Sequence, residues 1–284
     1  MSESEVKESS SDPIPKDNEQ WLARQEAEPV KIYQCFHKPY PHALCNWIQP
    51  LALGRFEHEG MISERTGENV AELNPFYNEI AAYYWIWKNA REPIVGLYHY
   101  RRVMAFRLDN AWADPFGFSM ETSPFVLNYF SSDEQLASLH RLMSCSDALI
   151  PRLTVTKGAS AQQYVKVHDA ESWQMFEQVL EEKLPHLMPY MPLFTHTNLV
   201  TAFNMFVMRR ETFGRYCQDL FSVVDTVFER LGPRVHYYLR RYPGFLAERF
   251  MLIWIRHERL RVTEVPMILL DDGSIPEERK LFLS

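Results

Sequence analysis

Basic side chains follow directly after three apolar segments that have the composition of buried strands. They are His37 and Lys38 after Val30–Phe36, His99, Arg101 and Arg102 at the end of IVGLYHYRR, and Arg152 after Ala148–Ile150. In open α/β sheets, ligands bind at the carboxyl ends of the strands, and arginine forks pair with phosphate oxygens. The pattern therefore indicates a phosphorylated or diphosphorylated ligand. A solvated strand end or an ion pair would explain any one of these residues, but the run HYRR as a unit favours binding.

Two glutamates and one histidine lie near predicted helix ends. Glu79 follows the helix entry Asn74-Pro75, in which Asn is the N-cap and Pro the first helical residue. It either interacts with the helix dipole or contacts a substrate. Glu248 follows Gly244, which supports a tight turn before a new helix. It is either a general base toward a bound hydroxyl or a helix-stabilising surface charge. His168, in YVKVHD, either caps a helix or contacts a ligand.

No motif assigns a catalytic class. The loops GxxxxGK[ST] and GxGxxG are absent, and glycine is scarce at ten residues, which disfavours a P-loop NTPase and an orthodox dinucleotide-binding domain. HExxH, GxSxG, CxxC and DxD are also absent, the last being a motif with which many nucleotide-sugar transferases bind Mn²⁺. Asp109-Asn110 and Asp271-Asp272 are the nearest acidic clusters, and both are weak. The sequence therefore displays no metal ligands.

The composition is that of a soluble globular chain, with 46% hydrophobic and 24% charged residues among 284. Thirty bases against 37 acids, a net charge of −7, disfavour a nucleic-acid partner that is bound through bulk charge. Residues 1–28 hold much of this acidity and are interpreted as a disordered acidic leader. Their polarity predicts no signal peptide, and no run of eighteen apolar residues occurs. Four cysteines without CxxC spacing indicate buried, reduced thiols, so a cytoplasmic location is expected.

Short apolar strands alternate with helices of ten to twenty residues. Strands are predicted at 30–36, 47–53, 94–99, 148–152, 204–208 and 261–270, and helices at 76–89, 138–143, 160–167, 171–183, 211–231 and 245–257. This alternation is typical of an α/β sandwich with a mainly parallel sheet flanked by helices. We predict a single domain at 29–284 after the leader, with an irregular insertion near 107–135.

Several stretches resemble one bacterial family across roughly residues 30–270. The most specific are NPFYNEIAAYYWIWKN and VGLYHYRR, accompanied in the same order by IYQCFHKP, SDALIPR, YVKVHD, NMFVMRRETFGRYC and PGFLAERFMLIWI. The family is the domain of unknown function 4422, whose members occur in capsule and O-antigen gene clusters. The resemblance implies a nucleotide-binding sandwich similar to the GT-A class of glycosyltransferases. Some relatives are thought to transfer galactose during surface polysaccharide synthesis.

The resemblance also implies roles for individual positions. The expected donor and diphosphate site comprises His37, Lys38, Asn74, Asn78, Glu79, Tyr100, Arg101 and Arg102. The expected acceptor side comprises His168, Asn204 and Arg249, and the expected catalytic residues are Glu248 and His99. Two arginines can stabilise a departing diphosphate where a metal otherwise would. Glu248 would be the base in an inverting reaction and would position the acceptor in a retaining one.

Together these inferences predict a glycosyltransferase that transfers a hexose, with galactose as one candidate, from a nucleotide-sugar such as a UDP-hexose to a hydroxyl. The acceptor stays open among a glycan, a lipid-linked glycan and a protein, with peripheral membrane contact allowed and no nucleic acid expected. Dependence on a divalent metal also stays open. Two alternatives remain. One is a non-catalytic nucleotide- or carbohydrate-binding module with a degenerate site, favoured by the missing DxD. The other is a phosphotransferase acting on sugar phosphates.

Overall fold

A large sheet forms the centre of the molecule. The computed structural model describes residues 28–108 and 118–271. The strands are β1 (Val30–Phe36), β2 (Ile48–Ala52), β3 (Ile62–Ser63), β4 (Ile94–His99), β5 (Arg102–Met104), β6 (Phe118–Glu121), β7 (Ala148–Pro151), β8 (Thr154–Val155), β9 (Leu199–Val200), β10 (Phe206–Arg209), β11 (Val262–Val265) and β12 (Met267–Asp271). The main path of the sheet has the order β11-β7-β10-β4-β1-β2-β3.

The sheet is mainly parallel, as predicted. β1 runs parallel to both β2 and β4, β2 to β3, and β7 to β11. β10 is antiparallel to its neighbours β4 and β7. β5 pairs antiparallel with β4 and β12, and β12 also pairs with β6. The carboxyl ends of β1, β2 and β4 therefore meet at one edge of the sheet.

Helices cover both faces of this sheet. They are α1 (Asn74–Tyr77), α2 (Glu79–Asn89), α3 (Pro124–Phe130), α4 (Asp133–Cys145), α5 (Ser160–Val167), α6 (Ala170–Lys183), α7 (Pro192–His196), α8 (Arg210–Leu231) and α9 (Tyr242–His257), with 3-10 turns at Ala71–Leu73, Pro185–Tyr190 and Leu239–Arg241. Because successive strand residues point to opposite faces, β1 contributes to two cores. Tyr33 and Cys35 pack with α2, α6, α8 and α9. Ile32 and Phe36 pack with α3 and α4. The predicted α/β sandwich is confirmed.

The longest helix, α8, follows from its sequence pattern. Phe213, Leu220, Val224 and Val227 recur at helical spacing and are fully buried. The helix ends where Gly232 takes a positive φ of 65° and its N–H donates to Phe228 O at 2.8 Å. The prediction of a helix at 211–231 is confirmed. Within the described ranges, no helix combines the length and apolar character needed to cross a membrane.

The predicted helices at 76–89 and 245–257 begin differently in the structure. Asn74 is the first residue of α1 rather than its N-cap, and the chain breaks at Asn78, with φ 51° and ψ −124°, before α2 starts. Asparagine tolerates positive φ better than most residues, which permits the break. α9 begins at Tyr242, so Gly244 lies inside its first turn. Glu248 therefore lies in the second turn of that helix.

Two other segments are also corrected. The predicted strand at 261–270 is divided at Pro266, which cannot donate a ladder hydrogen bond. β11 and β12 consequently pair with different neighbours. The expected irregular insertion at 107–135 contains β6, α3 and the start of α4. Ser123 is the N-cap of α3, because its Oγ accepts a hydrogen bond from Val126 N. Residues 109–117 and the leader up to residue 27 lie outside the described residues, and the division into a leader and one domain stays a prediction.

Candidate functional site

The first group of predicted residues gathers around the ring of Tyr100. β1 and β4 pair with Cys35 opposite His99, so the residues that follow each strand leave the sheet side by side. The His37 ring meets the Tyr100 ring edge-on at 4.7 Å. Lys38 Nζ and the Arg101 guanidinium lie 5.2 and 5.5 Å from the Tyr100 ring centre. The sequence-based expectation that the two strand ends converge therefore has a direct geometric basis.

Gln34 secures this strand end. It is buried in β1, and its Nε2 donates to His99 O at 3.2 Å and to Tyr100 O at 3.4 Å. Both bonds fix the backbone that carries the cations. The sequence reasoning missed Gln34, although a polar residue inside an otherwise apolar strand was the available signal.

Arg101 and Arg102 point into different surroundings. Arg101 is partly exposed, whereas Arg102 in β5 is only 7% exposed. Arg102 lies 3.3 Å from His99 Nδ1, and its guanidinium lies 4.8 Å from the Phe203 ring centre. The structure thus brings His99 and Arg102 together beneath the surface group. Arg152 is exposed at the end of β7, separated from β4 by β10.

Glu79 faces these cations from the start of α2. Its side chain is 24% exposed, and Arg241 Nη2 lies 4.0 Å from Glu79 Oε2. Burial alone would raise the pKa of this carboxyl, but His99 and Arg241 are among the groups that hold it below its ordinary value. Glu79 is therefore a carboxylate in a cationic setting. The sequence offered a helix dipole or a substrate contact as its partner and gave no sign of Arg241.

Asn74 and Asn78 shape the turn that precedes Glu79. Asn74 Nδ2 donates to Asn78 O at 3.4 Å, and Asn78 N donates to Asn74 O at 2.8 Å. Asn78 Nδ2 donates to Phe76 O at 3.0 Å. In these contacts both asparagine side chains donate to backbone carbonyl groups of the turn. Their predicted role in lining a nucleotide-sugar pocket stays a prediction.

Glu64 lies behind that turn and was not singled out from the sequence. It is 1% exposed, and its carboxylate accepts from Gly54 N and, at 3.4 Å, from Asn74 Nδ2. Burial raises its pKa to about 7, although these two hydrogen bonds and nearby Arg65 act in the opposite direction. A glutamate in the polar stretch 54–69 carried no sequence signal of burial.

Glu248 is joined to the turn at Phe203 and Asn204. Both turn residues have positive φ, 73° and 47°. Phe203 N donates to Glu248 Oε1 at 2.9 Å, and Asn204 Nδ2 donates to Gly244 O at 3.1 Å. Thr201 Oγ1 donates to Glu248 O. The same Phe203 that packs on Arg102 is thus hydrogen-bonded to Glu248, which connects the two halves of the site.

Arg249 supports Glu248 from inside the protein. Its side chain is 4% exposed, its Nη1 donates to Glu248 Oε2 at 2.7 Å and its Nη2 donates to Gln163 Oε1 at 2.9 Å. Its guanidinium lies 5.3 Å from the Tyr164 ring centre. Arg249 therefore orients Glu248, whereas the sequence had suggested an acceptor contact.

His168 lies in an aromatic group beside Arg249. It is the C-cap of α5, which was one of the two roles predicted for it, and its backbone N–H donates to Tyr164 O at 2.8 Å. Its ring stacks on Phe245 at 4.0 Å, and its Nδ1 lies 3.1 Å from Tyr238 Oη. Burial, then the charges of Arg249 and Arg241, lower its pKa to about 3. The imidazole is neutral at physiological pH.

Electrostatics connect Glu79, Glu248 and the cations. Burial raises the pKa of Glu248, Arg249 opposes that rise, and the charge of Glu79 adds to it. Partial burial lowers the pKa of His37, with Glu79 acting in the opposite direction and Arg241 in the same one. These groups therefore lie near enough to influence one another across the carboxyl edge of the sheet.

A cleft opens beside this edge. One part, of about 500 Å³, is lined by Ala52, Glu57, His58, Glu59, Met61 and Ser63. The other, of about 300 Å³, is lined by Pro39, Tyr40, Pro41, His42, His58 and Met61. Tyr40 packs on Tyr100 at 5.2 Å. The smaller part of the cleft therefore lies next to the cation group, on the other side of the Tyr40 and Tyr100 rings.

The side chains that most often bind metals are dispersed over the fold. Among the described residues, no three or more His, Cys, Asp or Glu side chains are grouped so that they could hold a metal ion. All four cysteines are free, but only Cys35 and Cys217 are buried. Cys145 is exposed and Cys45 is half-buried, so the expectation of four buried thiols is wrong for these two, which lie at a helix end and in a loop.

Comparison with known proteins gives one structural and one family match. The chain superposes on a structure described as the apo form of WbbM, a bifunctional glycosyltransferase, with a TM-score of 0.77 and 26% identity. The match covers 85% of this chain and 45% of the WbbM chain, so the chain spans about half the length of that relative. No curated protein matches the sequence. The model of the family described as domain of unknown function DUF4422 matches residues 31–259, and the chain belongs to that family.

Proposed function

We propose that this protein is a glycosyltransferase that transfers a hexose from a nucleotide-sugar to a hydroxyl acceptor. The observation that carries the proposal is the meeting of cations and two carboxylates, Glu79 and Glu248, at the carboxyl edge of a parallel sheet. Ligands of such sheets bind at this edge. Its support is the fold shared with a protein described as a bifunctional glycosyltransferase.

The donor diphosphate would contact Lys38 and Arg101, with His37 and Arg241 close by. These side chains flank Tyr100 or face Glu79 at the surface of the site. When the bond between the sugar C1 and the phosphate oxygen breaks, negative charge develops on the leaving nucleoside diphosphate. Fixed cations stabilise that charge in the transition state. Arg102 lies beneath, next to His99, and would reinforce the same positive field.

The cleft beside Tyr100 would hold the nucleoside. Pro41, Met61 and the ring of His42 offer apolar or flat surfaces for a base, and Glu57 and Glu59 can accept hydrogen bonds from ribose hydroxyls. The residues Pro39–His42, which line the smaller part of the cleft, directly follow His37 and Lys38 in the chain. A nucleoside diphosphate could therefore bridge the two parts without a glycine-rich loop.

Glu248 would act on the acceptor. In an inverting reaction the acceptor oxygen attacks C1, the bond to the phosphate breaks, and the hydroxyl proton moves to a Glu248 oxygen. A raised pKa, caused by burial, favours proton uptake. In a retaining reaction Glu248 would instead orient the acceptor. The stacked rings of His168 and Phe245 and the amide of Asn204 would contact the acceptor glycan.

The biological setting is proposed at the same level. Capsule or O-antigen synthesis is the context that the family resemblance implies, with UDP-galactose as the first donor to test and a cytoplasmic site of action. The acceptor would be a glycan, a lipid-linked glycan or a protein. With a lipid-linked glycan as acceptor, the protein would contact the membrane peripherally.

A donor screen tests the function. Purified protein is incubated with UDP- and GDP-hexoses, with and without candidate acceptors and EDTA, and release of nucleoside diphosphate is measured. Acceptor-dependent release is expected. Binding of UDP without turnover of any donor would instead support a non-catalytic module, and transfer of phosphate would support a phosphotransferase.

Arg101→Ala tests the donor site itself. We expect UDP binding, measured by calorimetry, to weaken about tenfold, the scale of a lost charge-assisted hydrogen bond. The control is Arg152→Ala, since Arg152 is an exposed arginine beyond β10. Equal affinity in the two variants would remove Arg101 from the donor site.

A further inference from the structure

A buried carboxylate lies behind the candidate donor site, and none of the roles proposed above uses it. Glu64 follows β3 directly, and its carboxylate accepts hydrogen bonds from Gly54 N and Asn74 Nδ2. We propose that Glu64 is a positioning residue, which holds Asn74, and through Asn74 the turn at Asn78, so that Glu79 keeps its place among the cations. The inference rests on the proposed function only in treating Glu79 as a donor-site residue.

The Asn74 amide is held from three directions. Its Nδ2 donates to Glu64 Oε2 and to Asn78 O, each at 3.4 Å. Its Oδ1 lies against Gly54, where an added Cβ would meet it at 3.0 Å, and Gly54 has a φ of 66° that glycine adopts readily. Because Glu64 offers only acceptors when ionised, it selects the amide nitrogen, not the oxygen, for its side of Asn74.

The turn at Asn78 depends on that orientation. With φ 51° and ψ −124°, Asn78 occupies a sparsely populated backbone region, which persists only where the surroundings hold it. Its carbonyl accepts from Asn74 Nδ2 and, at 3.0 Å, from Ala81 N. Glu79 is the next residue. A change at Asn78 therefore moves the Glu79 carboxylate directly.

The substitution Glu64→Gln separates the two hydrogen bonds that the carboxylate accepts, one from Gly54 N and one from Asn74 Nδ2. The amide oxygen of Gln can still accept from Gly54 N. Its NH₂ group, however, cannot accept from Asn74 Nδ2, so one of the two amides must turn or the contact is lost. If Asn74 turns, Asn78 O loses a donor. The matched control is Glu72→Gln, because Glu72 is 87% exposed and forms a surface ion pair with Arg65.

The backbone amide signals of Asn78 and Glu79 report this turn, because Asn74 Nδ2 donates to Asn78 O. We would record ¹⁵N–¹H NMR spectra of the wild-type protein and each variant at pH 8.5, where Glu64, with its pKa of about 7, is ionised. A second variant, Asn74→Ala, leaves Glu64 in place and removes its contact, so the test does not depend on one protein folding.

In Glu64→Gln and Asn74→Ala we expect the amide signals of Asn78 and Glu79 to shift at pH 8.5, because both variants release the Asn74 amide from Glu64. Glu72→Gln should leave them unchanged. With an active donor at the same pH, kcat/KM should also fall about tenfold in both variants, as for a lost hydrogen bond to a charged group. Unchanged Asn78 and Glu79 signals in both variants overturn the proposal. The spectra need no turnover, so a negative donor screen would refute the proposed function separately.

Discussion

The buried carboxyl of Glu64 should make the stability of this protein depend on pH in a calculable way. The pKa of Glu64 rises from an ordinary 4.5 to about 7 in the folded protein, chiefly because the group is buried. In the unfolded chain it titrates at its ordinary value. Between pH 4.5 and 7 the folded state therefore binds the extra proton, and the free energy of unfolding falls as the pH rises.

The size of this effect follows from the two pKa values. A rise from 4.5 to about 7 corresponds to about 3 kcal/mol, fully present below pH 4.5 and lost above pH 7. Glu64→Gln has no proton to exchange, so its stability should lack this component. The charged and titratable neighbours, Arg65 and Cys35, are the same in both proteins. The difference between the two stability curves isolates Glu64.

Urea unfolding followed by tryptophan fluorescence, at half-unit steps from pH 4.5 to 8.5, measures that difference. We expect the wild type to lose about 3 kcal/mol relative to Glu64→Gln across this range. Glu72→Gln should follow the wild-type curve. If the wild type and Glu64→Gln run parallel within about 0.5 kcal/mol, Glu64 titrates at its ordinary pKa and the reasoning from its burial is refuted.

Two further substitutions test the acceptor half of the site. Glu248→Gln should lower kcat about 100-fold or more if Glu248 is the base, while UDP affinity measured by calorimetry stays close to wild type. An unchanged kcat would exclude that role. His168 has its pKa lowered from 6.5 to about 3 by burial and by neighbouring arginines, so wild-type stability should fall as the pH drops from 6.5 towards 3. In His168→Gln, acid unfolding followed by circular dichroism should lack that component, and an identical acid transition would contradict a buried neutral imidazole.

The sheet and the first half of the site could be predicted because their signals are local. An apolar run such as Val30–Phe36 predicts a buried strand, and the two residues after it must lie at the strand's carboxyl end. The same reasoning applied to the segment before His99. Because β1 and β4 are adjacent and parallel, the residues that follow them, Lys38 and Arg101, lie close together, as the two local predictions together implied.

The remaining features depend on contacts between distant segments, which local patterns do not contain. Phe203 N and Glu248 Oε1 are 45 residues apart in sequence, and their hydrogen bond depends on how α9 packs against the turn before β10. Arg102 and Arg101 looked equivalent in the run HYRR. The reversal of the chain into β5 buries Arg102 and leaves Arg101 partly exposed.

A glycine-poor chain must shape its binding site with side chains, and this structure indicates how. Among the described residues, four non-glycine residues have positive φ, and three of them, Asn78, Phe203 and Asn204, surround the candidate site. Side-chain hydrogen bonds hold all three: Asn74 Nδ2 donates to Asn78 O, Glu248 Oε1 accepts from Phe203 N, and Asn204 donates its own amide to Gly244 O. Such conformations cost about 1–3 kcal/mol each and persist only where the surroundings maintain them. Glu64 and Glu248 therefore hold these turns, because Glu64 accepts from the Asn74 amide and Glu248 accepts from Phe203 N, so removing either carboxylate releases a strained turn beside the candidate site.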